Sequence, residues 1–141
     1  MNFHCSKEDF VHGINLAEKA IASKDTVPIT QGILLQTKGN KLVLTSTNLE
    51  LSIRTTIPCH TVKAGSIILN GKLLASIIRK LPSGTIVIDQ KENSDQVDIT
   101  AGSVEFALYP LVGEDFPAFP TYKDKLLTLN SADLQKLIKN T

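Results

Sequence analysis

Cysteine is scarce: Cys5 and Cys59 are the only two in 141 residues. Two thiols so far apart in sequence cannot frame a disulfide scaffold, and the expectation is that both stay reduced, as in a cytoplasmic protein. Long apolar runs are missing as well. No stretch approaches the roughly 20 apolar residues that a membrane span requires. The opening MNFHCSKEDF has neither the basic start nor the apolar run of a signal peptide. Chemistry-bearing motifs are equally thin. GxGxxG, GxxxxGK, HExxH and CxxC do not occur, so the usual phosphate cradles and zinc signatures are absent.

Acidic residues are missing from one long segment. Between Glu50 and Asp89 lie 38 residues without Asp or Glu, and they hold Arg54, Lys63, Lys72, Arg79 and Lys80. The rest of the chain carries 10 of the 15 cations against all 14 carboxylates. A net charge of +1 therefore hides a segregated field, which is the relevant quantity for binding an anion. Aromatics amount to 5%, and no set of base-reading side chains stands out. On this composition nucleic-acid contact would go to phosphates, independent of sequence and sensitive to salt.

Two clusters invite a chemical reading and do not sustain it. His4-Cys5 and Cys59-His60 together offer four metal-ligating side chains. Adjacent residues of a strand point to opposite faces, so neither pair easily turns both members toward one ion. A buried structural cysteine beside a surface histidine is the expectation, with no metal site. DQKENSDQVD, residues 89–98, is rich in carboxylates but lacks the Gly bend and the terminal Glu of a calcium loop. It reads as a solvated hairpin tip. No converging set of titratable groups marks a catalytic site, so the expectation is a protein that is not an enzyme and needs no cofactor.

What is present is a pattern. Residues 1–5 read as a strand, and Ser6 caps a helix with Glu8 and Asp9 in its first turn, where the helix dipole favours negative charge. Phe10, Ile14, Ala17 and Ile21 form its core stripe, opposite a polar face with Glu8, His12, Asn15 and Lys19. GILLQTKGNKLVLTS is a hairpin turning at Gly39-Asn40. LELSIRTTIP places Leu49, Leu51, Ile53 and Thr55 on one side of a strand. Further strands cover 66–69, 85–90, 96–100 and 104–109, the last two joined at Ala101-Gly102. A Pro-rich connector leads to LLTLNSADLQKLIKN, a new strand and helix. The segment LNGKLLASIIRKLPSG, residues 69–84, is a second helix with Leu73, Leu74, Ile77, Ile78 and Leu81 buried and Lys72, Ser76, Arg79 and Lys80 around the other side.

These segments repeat. FHCSKEDFVHGI, IILNGKLLASII and LTLNSADLQKLI align at offsets of 64 and 124 residues, with Asn70 where Ser6 stands and Leu74 and Ile78 where Phe10 and Ile14 stand. Strand, capped helix and following strands recur about every 60 residues, a period to be read as architecture before local motifs.

With that repeat, VPITQGILLQ, LVLTSTNLELSI, LNGKLLASIIRKLP and FALYPLVGEDFP make residues 1–120 resemble the first domain of the bacterial sliding-clamp family, the beta subunit of DNA polymerase III. The resemblance implies an α+β clamp fold: two repeated strand-helix-sheet units, with two helices packed on one face of antiparallel sheets. It implies a first clamp domain over residues 1–122 and the first strand and helix of a truncated second over 123–141. It further implies a non-catalytic processivity factor whose helices line a channel for duplex DNA, with Lys24, Lys72 and Arg79 facing the DNA. Phe106 and Leu108 would contact another copy in a head-to-tail ring dimer. Glu105 departs from the basic character expected beside them. The replicative polymerase and the clamp loader would bind through later domains that the chain lacks. A freestanding module that self-associates through the 103–109 edge is the alternative.

Overall fold

A computed structural model describes residues 1–23, 27–112, 115–121 and 128–140. Strand β1 (Asn2–Ser6) runs into helix α1 (Lys7–Ala17), and strands β2 (Gly32–Lys38), β3 (Lys41–Thr47) and β4 (Ser52–Pro58) follow. After a short strand β5 (His60–Lys63), the same order returns as β6 (Ser66–Asn70), α2 (Gly71–Lys80), β7 (Thr85–Gln90), β8 (Val97–Ala101) and β9 (Val104–Leu108). A third helix, α3 (Ser131–Lys139), lies near the end.

The repeat is visible in the helix caps. Ser6 Oγ accepts the amide of Asp9 at 3.1 Å, Asn70 Oδ1 that of Leu73 at 3.0 Å, and Asn130 Oδ1 that of Ala132 at 2.9 Å. Each satisfies an amide that the helix itself cannot pair. The three caps keep the offsets of 64 and 124 read from the sequence.

Two antiparallel sheets result, one ordered β5-β1-β7-β8-β9 and the other β4-β3-β2-β6. The first strand of each unit leaves its own sheet. β1 pairs with β7, from Asn2 opposite Asp89 to Ser6 opposite Thr85, while β6 pairs with β2, from Ser66 opposite Gln36 to Asn70 opposite Gly32. Each unit therefore completes the other's sheet.

The alternation of the strands supplies the core. Phe3, Ile86, Ile88, Val97 and Ile99 from one sheet join Ile33, Leu35, Leu42, Leu44 and Leu69 from the other in one buried cluster. Both helices add to it, α1 through Phe10, Ile14 and Ala17, α2 through Leu74, Ile77 and Ile78. Phe3 meets Phe10 edge-to-face at 6.2 Å between centroids. Gly13 lets α1 sit close to the four-stranded sheet: a Cβ there would lie 3.1 Å from Ile57 and 3.2 Å from Leu44. No helix among the described residues is long and apolar enough to cross a membrane.

The structure departs from the sequence reading in five places. Leu73 is 49% exposed, because Leu74, Ile77, Ile78 and Leu81 already fill the sheet-facing stripe. Leu49 and Leu51 are exposed too. They sit in a turn where Asn48 Oδ1 accepts the amides of Glu50 and Leu51, and Leu49 takes a positive φ of 76°. The β8–β9 turn is centred on Gly102-Ser103, one residue later than expected, with Ala101 opposite Val104. Strand β5 has no counterpart in the sequence reading: it is four residues long, lies at a sheet edge and lacks an apolar alternation. The strand expected in LLTLN before α3 begins on Leu126 and Leu127, outside the described residues, and its remaining residues 128–130 are not in a strand.

Truncating the core should separate these positions sharply. Phe10→Ala is expected to cost ~3–5 kcal/mol and Leu74→Ala ~2–5 kcal/mol in urea unfolding. Leu73→Ala should stay within about 0.5 kcal/mol of the parent, as an exposed substitution does. A Leu73 effect equal to that of Leu74 would contradict the stripe seen here.

Candidate nucleic-acid interface

Helices α1 and α2 lie side by side, so their polar faces form one surface. Arg79, in the last turn of α2, ties them together. Its guanidinium donates to Asn15 Oδ1 at 2.8 Å and forms an ion pair with the Glu18 carboxylate just beyond α1. That hydrogen bond to Glu18 raises the Arg79 pKa further above its ordinary value. Lys7 Nζ donates to the main-chain carbonyl of Arg79 at 3.2 Å and to that of Leu81. A cation there complements the negative end of the α2 dipole.

Lys72 and Lys80 are exposed on the same helix, and Lys19 and His12 are exposed at the end and on the polar face of α1. Among the described residues, neither Lys72 nor Lys80 has an ion-pair partner. Lys72 lines a hollow of about 200 Å³ with Ser23, Gln31 and Asn70. Lys24 lies outside the described residues.

Two other cations of the acid-free segment are engaged away from this surface. Arg54 stacks over the Phe119 ring, 4.1 Å from its centroid, which pins the Pro-rich connector. Lys63 pairs with Glu92 and holds that carboxyl below its ordinary pKa. The segregation read along the chain is thus partly undone in space, since Arg54, Lys63 and Arg79 each find a partner.

A polarity nevertheless remains. The outer face of the five-stranded sheet forms a concavity of about 550 Å³ whose charged lining is Asp89, Asp98 and Glu105 with one cation, Lys91. Asp89 and Asp98 stand directly opposite each other across β7 and β8. Carboxylates gather on that face, and the unpaired lysines Lys72 and Lys80 lie on the helices. Glu18 is the functional residue that the sequence reading missed. Its signal was available: it stands three positions after Asn15, on the polar side of the first helix.

At the far edge, β9 ends its sheet, with no strand on its other side among the described residues. Phe106 lies opposite Ile99 and Leu108 opposite Val97. Both partners are core residues, so both side chains turn toward the core side of the sheet. Phe106 is partly buried against the core, while Leu108 is only 7% exposed and belongs to it. Leu108 is therefore covered by its own chain. The large apolar groups exposed along that edge are Val104 and Tyr109. Among the described residues no group of three or more metal-ligating side chains comes together.

A family model for the DNA polymerase III beta subunit, N-terminal domain, matches residues 1–120. The beta sliding clamp of Staphylococcus epidermidis is 31% identical across the whole chain, which covers 40% of that relative. Among solved structures, the beta subunit of Streptococcus pyogenes superposes with a TM-score of 0.91 at 27% identity, covering all of this chain and 38% of that one. A DNA polymerase III beta subunit from Eubacterium rectale gives 0.90 at 28%, covering all of this chain and 39% of that one. The chain thus spans about 40% of the length of the curated relatives it matches.

The Arg79–Glu18 bridge is half exposed to solvent, and pairs of that kind contribute little to stability. A double-mutant cycle on Arg79→Ala and Glu18→Ala, read by urea unfolding, should give a coupling of ~0.2–1 kcal/mol. A coupling of several kcal/mol would make the bridge a structural requirement rather than an adjustable surface contact.

Proposed function

The chain belongs to the DNA polymerase III beta subunit family, and on that premise we propose that it supplies the first domain of a sliding clamp. In this reading residues 1–122 form that domain, and residues 123–141 open a second. Two full-length subunits close head to tail around duplex DNA in the cytoplasm and tether the replicative polymerase, without catalysing any reaction themselves. The clamp loader and the polymerase engage the later domains.

The observation that carries this reading is the joint surface of α1 and α2. Arg79 bridges to Asn15 and Glu18, with Lys72 and Lys80 exposed beside it. Such a surface offers phosphates a few cations and no base-reading geometry. Contacts of that type are weak, sequence-independent and easily exchanged. Enclosure then provides retention, while the contacts permit movement along the duplex. Lys24 belongs to this set by its place in the family pattern.

The edge strand supports the ring. Among the described residues β9 has no neighbour on its outer side, and exposed strand edges pair readily with another chain. Phe106 would meet the neighbouring subunit there, with Leu108 supporting the strand from within the core. The second reading, a module that self-associates through residues 103–109, rests on the same edge. Phe106→Glu distinguishes its consequences: a stable dimer of this chain that the substitution dissociates in sedimentation would favour the freestanding module.

Duplex binding at low salt tests the surface directly. Lys72→Glu combined with Arg79→Glu should weaken binding equally on unrelated duplex sequences. It should also flatten the dependence of log affinity on log salt by about 0.9 for each phosphate no longer neutralised. Glu18→Gln, which frees Arg79, should strengthen binding and steepen that slope by up to about 0.9. Affinities unchanged in both variants would mean that this face is merely solvated.

A further inference from the structure

The outer face of the five-stranded sheet carries a pair of imidazoles that the clamp reading does not use. His4 of β1 stands directly opposite His60 of β5 in the strand register. Their ring centroids are 5.8 Å apart, with the planes tilted by 60°. The neighbouring cysteines go the other way: Cys5 is buried, and Cys59 is half-buried and packed against the core. The register of β1 and β5 brings the two histidines together across the strands.

The spacing suits a shared ion. With metal–nitrogen bonds of about 2.0–2.1 Å, two imidazoles on one ion hold their centroids roughly 5–6 Å apart. A concavity of about 420 Å³ lies at the pair, lined also by Cys5, Ser6, Pro58, Cys59 and Thr85, with room for water ligands. Among the described residues neither ring forms a hydrogen bond or an ion pair, so each nitrogen is available.

We propose that His4 and His60 form a two-imidazole site for a divalent transition ion, completed by water, which clips the edge strand β5 onto β1. The chemistry favours ions that prefer imidazole over thiolate. Cys5 is buried and Cys59 packs against the core, so neither thiol is as open to solvent as the histidine beside it. The site lies on the sheet, apart from the joint surface of α1 and α2. It is independent of the DNA-binding reading and stands or falls without it.

Ni2+ is the probe, because it takes imidazole ligands. The 141-residue chain has three histidines, and the third, His12, is exposed on α1 and serves as an internal reference. Calorimetric titration should find one Ni2+ per chain. His4→Ala and His60→Ala should each lower the affinity by about tenfold or more, while His12→Ala leaves it unchanged. His60→Phe keeps an aromatic ring against His4 but removes the ligand, so it should lose binding and remain folded. In proton NMR the ring signals of His4 and His60 should broaden together as Ni2+ is added, before those of His12. Parent-level affinity in His60→Phe, or binding abolished by His12→Ala or Cys59→Ser, would overturn the assignment.

Discussion

The exchange of first strands between the two units is the constraint on which the rest depends. β1 is hydrogen-bonded to β7, and β6 to β2, so each sheet contains a strand from the other unit. Neither unit can satisfy its backbone or bury its apolar face alone, because an unpaired buried amide or carbonyl costs about as much as a broken hydrogen bond. The exchange also fixes where the helices emerge. Ser6 ends β1 and caps α1, and Asn70 ends β6 and caps α2. Placing the two strands in opposite sheets therefore sets the two helices side by side over one core.

That arrangement gives the molecule its polarity. The helix side gathers Lys19, Lys72, Arg79 and Lys80, while the outer face of the five-stranded sheet gathers Asp89, Asp98 and Glu105. The fold does not leave every cation free. Arg79 is held by Glu18 and Asn15, Arg54 by a ring, and Lys63 by Glu92. A phosphate approaching Arg79 must displace a carboxylate, which keeps that contact weak. Weak contacts are what a surface needs if the duplex beside it is to move.

Much of this was legible in the sequence because it is local or periodic. The caps at Ser6, Asn70 and Asn130, the stripes through Phe10 and Leu74, and the Gly39 turn all follow from spacing and side-chain chemistry. What escaped depends on long-range pairing. A run of residues says nothing about which strand lies beside it, so the exchange of β1 and β6 was invisible. The pairing of His4 with His60, 56 positions apart, was invisible for the same reason. Charge counts failed similarly: Glu18 lies outside the acid-free segment in sequence yet neutralises Arg79 within it. Alternation also ran too far at Leu49 and Leu51, where the Asn48 side chain offered the backbone a turn in place of a ladder.

In the reading proposed above, this domain forms part of a ring that encloses duplex DNA. The most direct measurement places residues 1–120 in the position of the matching domain of the Staphylococcus epidermidis beta sliding clamp, loads the hybrid onto nicked circular DNA, and then linearises half of the sample. Enclosure predicts that the hybrid stays on the circles through gel filtration and departs from the linear molecules by sliding off their ends. Equal loss from both forms, or equal retention on both, would contradict it.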